Sequence, residues 1–543
     1  MAILTRRNFL IASVAIVGGV AFGIHRAVQP GPNPLAKGLP AGSATFNPWV
    51  KIADGKITLI TPHADVGQGV AGVQALLIAE EMDLDVGQFE IDFGPPAKVY
   101  ANTALAEEIV PFPMLDHSTM AEAARSAALT FIKAMGLQMT GGSSTVPDSY
   151  TKLRIAGAVA RETLKAAAAK RTGIAVSSLK TASGAVVLPD GKRIPYTELS
   201  VDAAAITPVQ DVKLRDSKEW RLLGRKTQRI DVVAKSTGAM KFGIDQRVDG
   251  MLYASVRLNP YKGGPLVSYN AAKAEKMAGV KKIVKITNGL GVIATNTWYA
   301  IKAAEAIECV WGPGSYPPEQ AEHWKAMEAS FSPKALDKEW VNTGDVEAAI
   351  KSGTLVEAEY RAPYLAHQPM EPLNALVHVR NDSADIWVGH QIPGAVQEMV
   401  SKITGLTLAQ VTMHNLYSGG SFGHRLEFEN VRAAAEIANQ MRGTPIKTTF
   451  SREEDFRQDF PRQLGMARNR GAVKDGKIIA ADLKVVNTPP SRSQFKRMGM
   501  SLPGPDTQVA AGIWNVPYTI PNLRSTAFTI DTLSPVSSWR SVG

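Results

Sequence analysis

The sequence predicts a multi-domain protein of mixed α and β structure (α+β). The chain has 543 residues, which at the usual domain size corresponds to roughly three or four domains. Hydrophobic residues make up 45% and charged residues 20%, a globular composition that excludes a wholly disordered chain and a polytopic membrane protein. Short strand-like segments alternate with helical ones along most of the chain, without a short tandem repeat.

The first thirty residues are predicted to be a targeting segment. The pair Arg6-Arg7 is followed by Asn8-Phe9-Leu10 and an apolar stretch over residues 10–24, which is typical of a twin-arginine export signal. The stretch is shorter than the roughly twenty residues that a spanning helix needs. We therefore expect a periplasmic protein, and a membrane tether if the signal is not cleaved.

The chain beyond residue 30 divides into elements and boundaries. Hairpins are predicted at the Asp-Gly pairs 54–55, 190–191 and 475–476, and helices over 70–83, 119–135 and 150–171. Residues 205–230 are polar, and residues 313–340 read as a linker with some helix. The predicted domains are 40–205, 225–315 and 316–543.

The inventory of metal-binding side chains limits the chemistry. Cys309 is the single cysteine, and the nine histidines show neither HExxH nor HxH spacing. The chain cannot form an internal disulfide, a cysteine zinc site or an iron–sulfur cluster. A redox metal would have to arrive inside an organic cofactor. The net charge of +10 is dispersed without a long Lys/Arg tract, so nucleic acid is not an expected partner.

Two glycine-rich segments precede predicted helices. They are Gly67-Gln68-Gly69-Val70-Ala71-Gly72 and Gly141-Gly142-Ser143-Ser144-Thr145. Glycine lets backbone N–H groups approach an anion, and a helix N-terminus adds about half a positive charge. Both segments are therefore candidates for phosphate binding. Each also fits a plain helix start, the second with Asp148 or Ser149 as its N-cap.

The first segment matches the GxGxxG pattern, with Asp92 twenty residues beyond Gly72. This leaves open a Rossmann unit and hence a nicotinamide-dependent dehydrogenase. Residues 61–65 separate the preceding strand from the glycines, whereas the turn of a Rossmann unit is tight.

The segment Gly419-Gly420-Ser421-Phe422-Gly423 is a third candidate. Three glycines around one phenylalanine predict a backbone bent close to a ligand, with one ring presented to it. The alternative is a turn whose phenylalanine packs in the core.

Two further segments could carry chemistry. Glu371 lies between prolines in His367-Gln368-Pro369-Met370-Glu371-Pro372, where it is either a carboxylate with a perturbed pKa or one that binds backbone groups. The pair Trp539-Arg540 suits an anion or a planar substrate, unless it belongs to a frayed tail.

Together and in this order, the motifs resemble the molybdopterin-binding large subunits of the xanthine dehydrogenase/aldehyde oxidase family of molybdenum hydroxylases. The resemblance covers nearly all of residues 45–543, and the order is that of the permuted isoquinoline-type subunits. The motifs that carry it are Gly67-Gln68-Gly69, TGGSST (140–145), LRIAGAVAR (153–161), HQPMEP (367–372), GHQIPGAVQ (389–397), GGSFG (419–423), GTPIKTTFSREEDF (443–456) and SWRSVG (538–543).

The resemblance implies molybdopterin-binding domains, with a permuted part over 40–205, a small α/β hammerhead domain over 225–315, and a further part from 316 onward. It also implies a molybdenum–molybdopterin cofactor in its cytosine dinucleotide form, with the metal held by the pterin dithiolene and by no protein side chain. By resemblance, Gln68 and Gly69 lie near the metal ligands, and Ser143 and Thr145 bind the pterin phosphate. Gly420, Ser421, Phe422 and Gly423 run beside the metal, and Arg540 contacts cofactor or substrate.

The implied reaction is hydroxylation of an N-heterocycle or oxidation of an aldehyde, with water as the oxygen source. Electrons would leave through a small partner subunit with two iron–sulfur clusters, and a cytochrome c would accept them further on.

The family's catalytic glutamate follows the Trp-Arg motif in a Gly-Glu segment, and no such segment occurs in these 543 residues. We therefore expect a fragment of a longer enzyme or a subunit that a second polypeptide completes, with Glu371 as the fallback base. A non-catalytic relic or scaffold is the other alternative.

Overall fold

The computed structural model describes residues 31–502 and 504–539. The predicted signal at 1–30 and Arg540 lie outside the described residues, so their interpretation stays a prediction. The chain forms two compact units. Unit 1 contains the described part of Met1–Val110, His117–Met240 and Gln391–Gly394, and unit 2 contains Pro111–Asp116, Lys241–His390 and the described part of Ala395–Gly543.

Unit 1 is built on a four-stranded sheet and several helices. The sheet has the order Ala44–Asn47, Val50–Ala53, Lys56–Ile60, Glu90–Asp92, and a second, three-stranded sheet contains Lys180–Ala182, Ala185–Val187 and Arg193–Pro195. The helices are Val70–Met82, Leu105–Ile109, Thr119–Met135, Thr145–Thr172, Ser200–Ala204 and Val232–Ser236. Short 3-10 turns occur at Pro34–Ala36, Lys98–Tyr100, Val176–Ser178 and Ser217–Glu219.

Two helices of unit 1 pack very closely against each other. Gln74 and Ser149, each near the start of its helix, are hydrogen-bonded, and a Cβ placed on Gly157 would lie 2.5 Å from the carbonyl oxygen of Ile78. The helices Val70–Met82 and Thr145–Thr172 therefore run in the same direction, with their N-termini at one end of the pair. Only glycine fits at the crossing.

Unit 2 contains two larger sheets. The seven-stranded sheet has the order Val280–Ile286, Gly289–Ala294, Leu252–Leu258, Ile446–Thr449, Asn374–Val379, Ala384–Val388, Val411–Asn415. The five-stranded sheet has the order Leu336–Thr343, Asn522–Thr529, Lys477–Asn487, Gly465–Lys474, Thr354–Ala362. A two-stranded ladder joins Glu308–Trp311 to Leu266–Asn270.

The helices outside unit 1 cover and connect these sheets. They are Ala272–Glu275, Thr297–Glu305, Gln320–Ala329, Val346–Lys351, Pro393–Thr404 (whose first two residues count with unit 1), Glu429–Asn439, Arg452–Gln458 and Pro490–Arg497. The 3-10 turns are Gly243–Asp245, Pro333–Ala335, Leu408–Gln410 and His424–Leu426.

Most predicted elements are confirmed, including the mixed α and β class. Val50–Ala53 and Lys56–Ile60 pair antiparallel, and Asp54 and Gly55 both have positive φ, as a two-residue hairpin turn requires. The hairpins at 190–191 and 475–476 are also present. The long helix begins at Thr145 and not at residue 150, so the Gly/Ser/Thr segment runs directly into it.

The prediction of a linker over 313–340 is wrong at its end. Leu336–Thr343 is a strand that pairs antiparallel with Asn522–Thr529. The sequence around Gly314 and Pro317 is turn-rich, but the strand's partner lies about 180 residues further along the chain, beyond the reach of a local pattern. Within the described ranges, no helix has both the length and the apolar character needed to cross a bilayer.

Candidate functional site

The two phosphate-binding candidates of unit 1 lie beside each other. Gly69 caps the helix Val70–Met82, and Ser144 caps the helix Thr145–Thr172. The backbone N–H of Ala64, ahead of the first cap, donates to Oγ1 of Thr140 at 2.8 Å. Because the two helices run in the same direction, their positive ends act together on one small region.

The loop 140–145 presents backbone in an unusual conformation. Gly142 and Ser143 have φ of 59° and 54°, both left-handed. Such a conformation costs a residue with a Cβ about 1–2 kcal/mol. Ser143 is exposed, whereas Thr145 is buried at the first helical position. Ser143 is thus an exposed residue in strained backbone, two residues before the start of the helix Thr145–Thr172.

Ser144 has a structural role. Its hydroxyl donates to the carbonyl of Gly141 at 2.7 Å and accepts from Nδ2 of Asn102 at 2.8 Å. Thr140 is held by a two-way contact with Gln391, whose Nε2 donates to the Thr140 carbonyl at 2.6 Å. Gln391 belongs to the GHQIPGAVQ motif, so that motif supports the loop 140–145.

The loop 67–69 is partly filled by its own chain. The buried carboxylate of Asp65 accepts from the N–H of Gly67 at 2.9 Å and from that of Ala71 at 3.2 Å. The Gln68 side chain accepts from Val66 and donates to the Ala64 carbonyl. An anion here would share the helix start with Asp65, and the loop 140–145 is therefore the more open of the two.

A buried histidine, His63, lies just before the loop 67–69 in sequence and carries no recognisable motif spacing. His63 Nδ1 accepts from Nε2 of Gln74 at 2.7 Å, so its Nε2 carries the hydrogen. That Nε2 is buried without a hydrogen-bond partner among the described residues, 4.0 Å from Oδ2 of Asp148. Burial lowers the pKa of His63 to about 4, which keeps the ring neutral.

Asp92, the acid of the Rossmann alternative, caps its own turn. Its Oδ1 accepts from the N–H of Gly94 at 2.7 Å. The carboxylate therefore stabilises the local chain direction after the strand Glu90–Asp92.

In unit 2, the loop 419–423 is closed by its own chain. The N–H of Gly419 donates to Oε2 of Glu371 at 2.7 Å, and the N–H of Glu371 donates to the Gly419 carbonyl at 3.1 Å. Arg425 donates from Nε to the Gly420 carbonyl at 2.9 Å and from Nη2 to Glu371 at 2.8 Å. The Ser421 hydroxyl accepts from the N–H of Arg425 at 2.9 Å. These bonds leave the loop rigid.

Glu371 has the backbone-binding role that the sequence left open. In addition to Gly419 and Arg425, it accepts from the N–H of Ile244 at 2.8 Å and from Nδ2 of Asn374 at 3.0 Å. Its side chain is 5% exposed. A carboxylate with both oxygens bound in this way is poorly placed to take a proton from a substrate.

Phe422 is presented to solvent and not packed in the core. Its φ is 61°, and the residue is 40% exposed. Gly423 follows with φ of 117°, and a Cβ on it would overlap the carbonyl oxygen of Ser538. The loop therefore exposes one ring on one side and receives the chain's C-terminal segment on the other.

His367, His424 and Asp459 form a buried cluster that no sequence spacing predicted, because its members come from three distant segments. Their side-chain nitrogen and oxygen atoms lie within 4.8 Å of one another, so a metal ion is possible by distance. The two imidazole rings, however, are stacked at 5.2 Å with planes 15° apart, and lone pairs in parallel planes do not converge on one ion. Both nitrogens of His367 are also already hydrogen-bonded. The geometry favours a hydrogen-bonded network.

The residues fit an anionic cofactor better in unit 1 than in unit 2. Unit 1 has the open helix start at Thr145, the exposed Ser143 and the Nε2 of His63, which has no hydrogen-bond partner among the described residues. Unit 2 offers a rigid loop with one exposed aromatic ring. The features of unit 1 suit a phosphate group, and the exposed ring of unit 2, taken by itself, suits contact with a planar molecule.

The chain is also similar to known proteins, and the matching family model falls within the residue range of unit 2 apart from residues 391–394. Residues 331–542 match the family described as "Molybdopterin cofactor-binding domain". The chain is 29% identical over 532 residues to isoquinoline 1-oxidoreductase subunit beta of Brevundimonas diminuta, covering 88% of this chain and 63% of that protein. It is 27% identical over 501 residues to a membrane-bound aldehyde dehydrogenase [pyrroloquinoline-quinone] of Gluconacetobacter polyoxogenes, covering 88% and 60%.

Among solved structures, the aldehyde oxidoreductase of Desulfovibrio gigas is similar over 89% of this chain and 57% of that chain, with 15% identity and a TM-score of 0.45. The chain spans 63% of the length of the isoquinoline 1-oxidoreductase subunit and 60% of the length of the aldehyde dehydrogenase. The relatives fit the molybdenum-hydroxylase interpretation, and they do not fit the nicotinamide-dehydrogenase alternative.

Proposed function

From the premise that this chain is a relative of the molybdenum hydroxylase large subunits and carries a molybdopterin cofactor-binding domain at residues 331–542, we propose that it is the molybdenum–pterin subunit of an oxidoreductase. Its substrates would be an N-heterocycle or an aldehyde, with water as the oxygen source. The names of the two curated relatives support both substrate classes.

One observation carries the proposal in this chain's own geometry. The N-termini of Val70–Met82 and Thr145–Thr172 lie at the same end of a helix pair, and the exposed Ser143, in strained backbone, stands two residues before the second helix. Strained backbone persists where a function requires it. Ser143 and the first-turn N–H groups would hold the cofactor's phosphate, and Gln68 would keep the neighbouring loop in shape. The cytosine dinucleotide form is part of this proposal.

When bound, the molybdenum–pterin group supplies the two-electron redox chemistry of the hydroxylation. The chain's own contribution is to bind the cofactor and to orient the substrate. The bonds from Glu371 and Arg425 fix the loop 419–423, and Phe422 offers an aromatic face to a planar substrate. We assign no proton-accepting residue among the described residues.

Electrons need a path out of the subunit. Because Cys309 is the chain's single cysteine, no iron–sulfur cluster can be held here. We propose a small partner subunit with two such clusters, followed by a cytochrome c. Purification of the native complex tests this: the chain isolated alone and still reducing an acceptor dye would contradict it.

We also propose export by the twin-arginine route to the periplasm, on the evidence of Arg6 and Arg7. Replacing both by lysine should abolish periplasmic accumulation, since the pair itself is the signal. Unchanged periplasmic yield of the double variant would refute it.

The cofactor proposal is tested by producing the full chain in a host that makes the pterin cofactor. Molybdenum is measured by mass spectrometry and the nucleotide by acid release of CMP. A chain that carries both supports the proposal, and a folded chain that carries neither overturns it.

A further inference from the structure

The C-terminal segment of unit 2 is held at several points along its backbone. The N–H of Val536 donates to Oγ of Ser493 at 3.1 Å, and Arg497 donates to the Val536 carbonyl at 2.8 Å. The N–H of Ser537 donates to the Pro461 carbonyl at 3.3 Å. Val536 and Ser537 are fully buried. The segment is therefore part of the packed structure up to Ser538.

One residue meets this segment from the other side. His367 Nε2 lies 2.9 Å from the carbonyl oxygen of Ser538, and its Nδ1 lies 2.7 Å from Oδ1 of Asp459. A backbone carbonyl and a carboxylate oxygen are both acceptors, so both bonds form only when both ring nitrogens carry hydrogen. The ring is then an imidazolium paired with a carboxylate, and such charge-assisted bonds are about twice as strong as neutral ones.

The surroundings fix the ring in this orientation. The backbone N–H of His367 donates to the second oxygen of Asp459 at 2.6 Å, so one carboxylate holds both the main chain and the side chain. His424 stacks on one face at 5.2 Å, and the Trp539 ring lies 4.4 Å away. Burial lowers the pKa of His424 to about 3, so the stacked neighbour adds no competing positive charge.

The glycine at 423 completes the contact. A Cβ there would overlap the Ser538 carbonyl and lie 3.2 Å from His367 Nε2. The loop 419–423, the histidine and the C-terminal segment thus meet at one point. That point lies two residues before Arg540 in sequence.

We propose that His367 is a positioning residue: it donates from both ring nitrogens, to Asp459 and to the Ser538 carbonyl, and so fixes the chain leading to Arg540 against the loop 419–423. The contact itself stands on the distances above. Its importance for the reaction rests on the proposed function, where Arg540 is expected to contact cofactor or substrate.

The test is hydrogen–deuterium exchange of the full chain, which needs no cofactor. In His367→Asn the amide can still donate toward Asp459 but is too short to reach Ser538. His367→Gln retains a donor near the position of Nε2. We expect exchange of the Val536 and Ser537 amides to rise at least about tenfold in His367→Asn, with much smaller change in His367→Gln. Gly423→Ala should reproduce the Asn result, since its methyl group displaces the same carbonyl.

A matched control sharpens the test. His323→Gln changes another buried histidine of unit 2, which is bonded to Tyr364 and Pro317, and should leave residues 536–537 unaffected.

Trp539 fluorescence is a second readout. A protonated imidazole beside an indole quenches the indole's emission. The contribution of Trp539 is the emission lost in Trp539→Phe, and this contribution should be larger in the His367→Asn background. Unchanged exchange and emission in His367→Asn would overturn the proposal. Equal loss of protection throughout unit 2 in both His367 variants would also overturn it, because the histidine would then be a general structural residue. A chain without molybdenum or nucleotide would refute the proposed function and leave this result intact.

Discussion

The loops 140–145 and 419–423 are both rich in glycine and serine. The first is open to solvent at Gly142 and Ser143, whereas the second is hydrogen-bonded to its own chain. In the first, Ser143 stands exposed at the start of a 28-residue helix in strained backbone. In the second, Glu371 and Arg425 bind the backbone from within the same unit. Glycine serves a different end in each loop: in the first it lies in exposed, left-handed backbone, and in the second it lets the chain approach itself. A glycine-rich motif therefore does not by itself indicate an anion site.

Breaking the closed loop should have the largest effect. Glu371→Gln removes the charge that pairs with buried Arg425 and turns one acceptor of Gly419 into a donor. Loss of one partner from a buried ion pair typically destabilises by about 3–5 kcal/mol. Urea unfolding measures this, and Glu359→Gln, at an exposed ion pair with Arg468, should change little. Equal effects of the two variants would contradict the closed-loop description.

In unit 1, the free energy of unfolding should depend on pH through the buried His63. His63 has a folded pKa of about 4 against an ordinary value of 6.5. Between these pH values, His63 binds a proton in the unfolded chain but remains neutral in the folded chain. Stability contributed by the neutral ring is complete above pH 6.5 and falls toward pH 4, by up to about 1.4 kcal/mol per pH unit.

His63→Gln should reduce the slope of that part of the pH dependence of unfolding by up to one proton's contribution, while His390 and His424, whose pKa values burial also lowers, keep theirs. The control is His117→Gln, at an exposed histidine beside Glu122. If both variants keep the original slope, His63 is not the titrating group.

The helix crossing beneath the open loop is the next target. Gly157→Val forces side-chain atoms against the Ile78 carbonyl, and overpacking of this kind costs about 1–3 kcal/mol. Spreading the helices should also weaken cofactor retention. Gly394→Ala, where an added Cβ meets no atom within 4 Å, should be neutral in both thermal unfolding and molybdenum content. A fully loaded, stable Gly157→Val variant would argue against the paired helix starts.

The smallest effect separates strain from function. Ser143→Gly relieves the left-handed backbone and should stabilise the chain by about 1 kcal/mol, while it removes the hydroxyl and lowers retained CMP. Ser183→Gly makes the same backbone change at another left-handed serine, with φ of 42°. It also removes a side-chain hydrogen bond to Asp85, so it should stabilise less than Ser143→Gly and cause no loss of CMP. If Ser143→Gly both stabilises the chain and lowers its CMP content, while Ser183→Gly leaves the CMP content unchanged, the loop 140–145 binds the ligand. If neither variant loses CMP, the loop is an ordinary helix start.

Local patterns predicted most elements and each glycine-rich loop, because Asp-Gly turns and helical periodicity act over a few residues. The adjacency of the two loops in unit 1 was not predictable, since it depends on the packing of Gly157 against Ile78. Nor was the closure of the loop 419–423, because Glu371 lies 48 residues before Gly419. Asp65 was within reach: an aspartate two residues before Gly67 is an ordinary Asx-turn signal.

The strand Leu336–Thr343 has a consequence for synthesis on the ribosome. In the five-stranded sheet its hydrogen-bonded neighbour is Asn522–Thr529, and the paired residues Thr343 and Leu523 are 180 positions apart. At about 5–20 residues per second, translation needs roughly 10–35 s to deliver that partner. During this interval the earlier strand has an unsatisfied edge, which is a template for wrong pairing. We therefore expect the nascent strand Leu336–Thr343 to be prone to wrong pairing until residues 522–529 have been made.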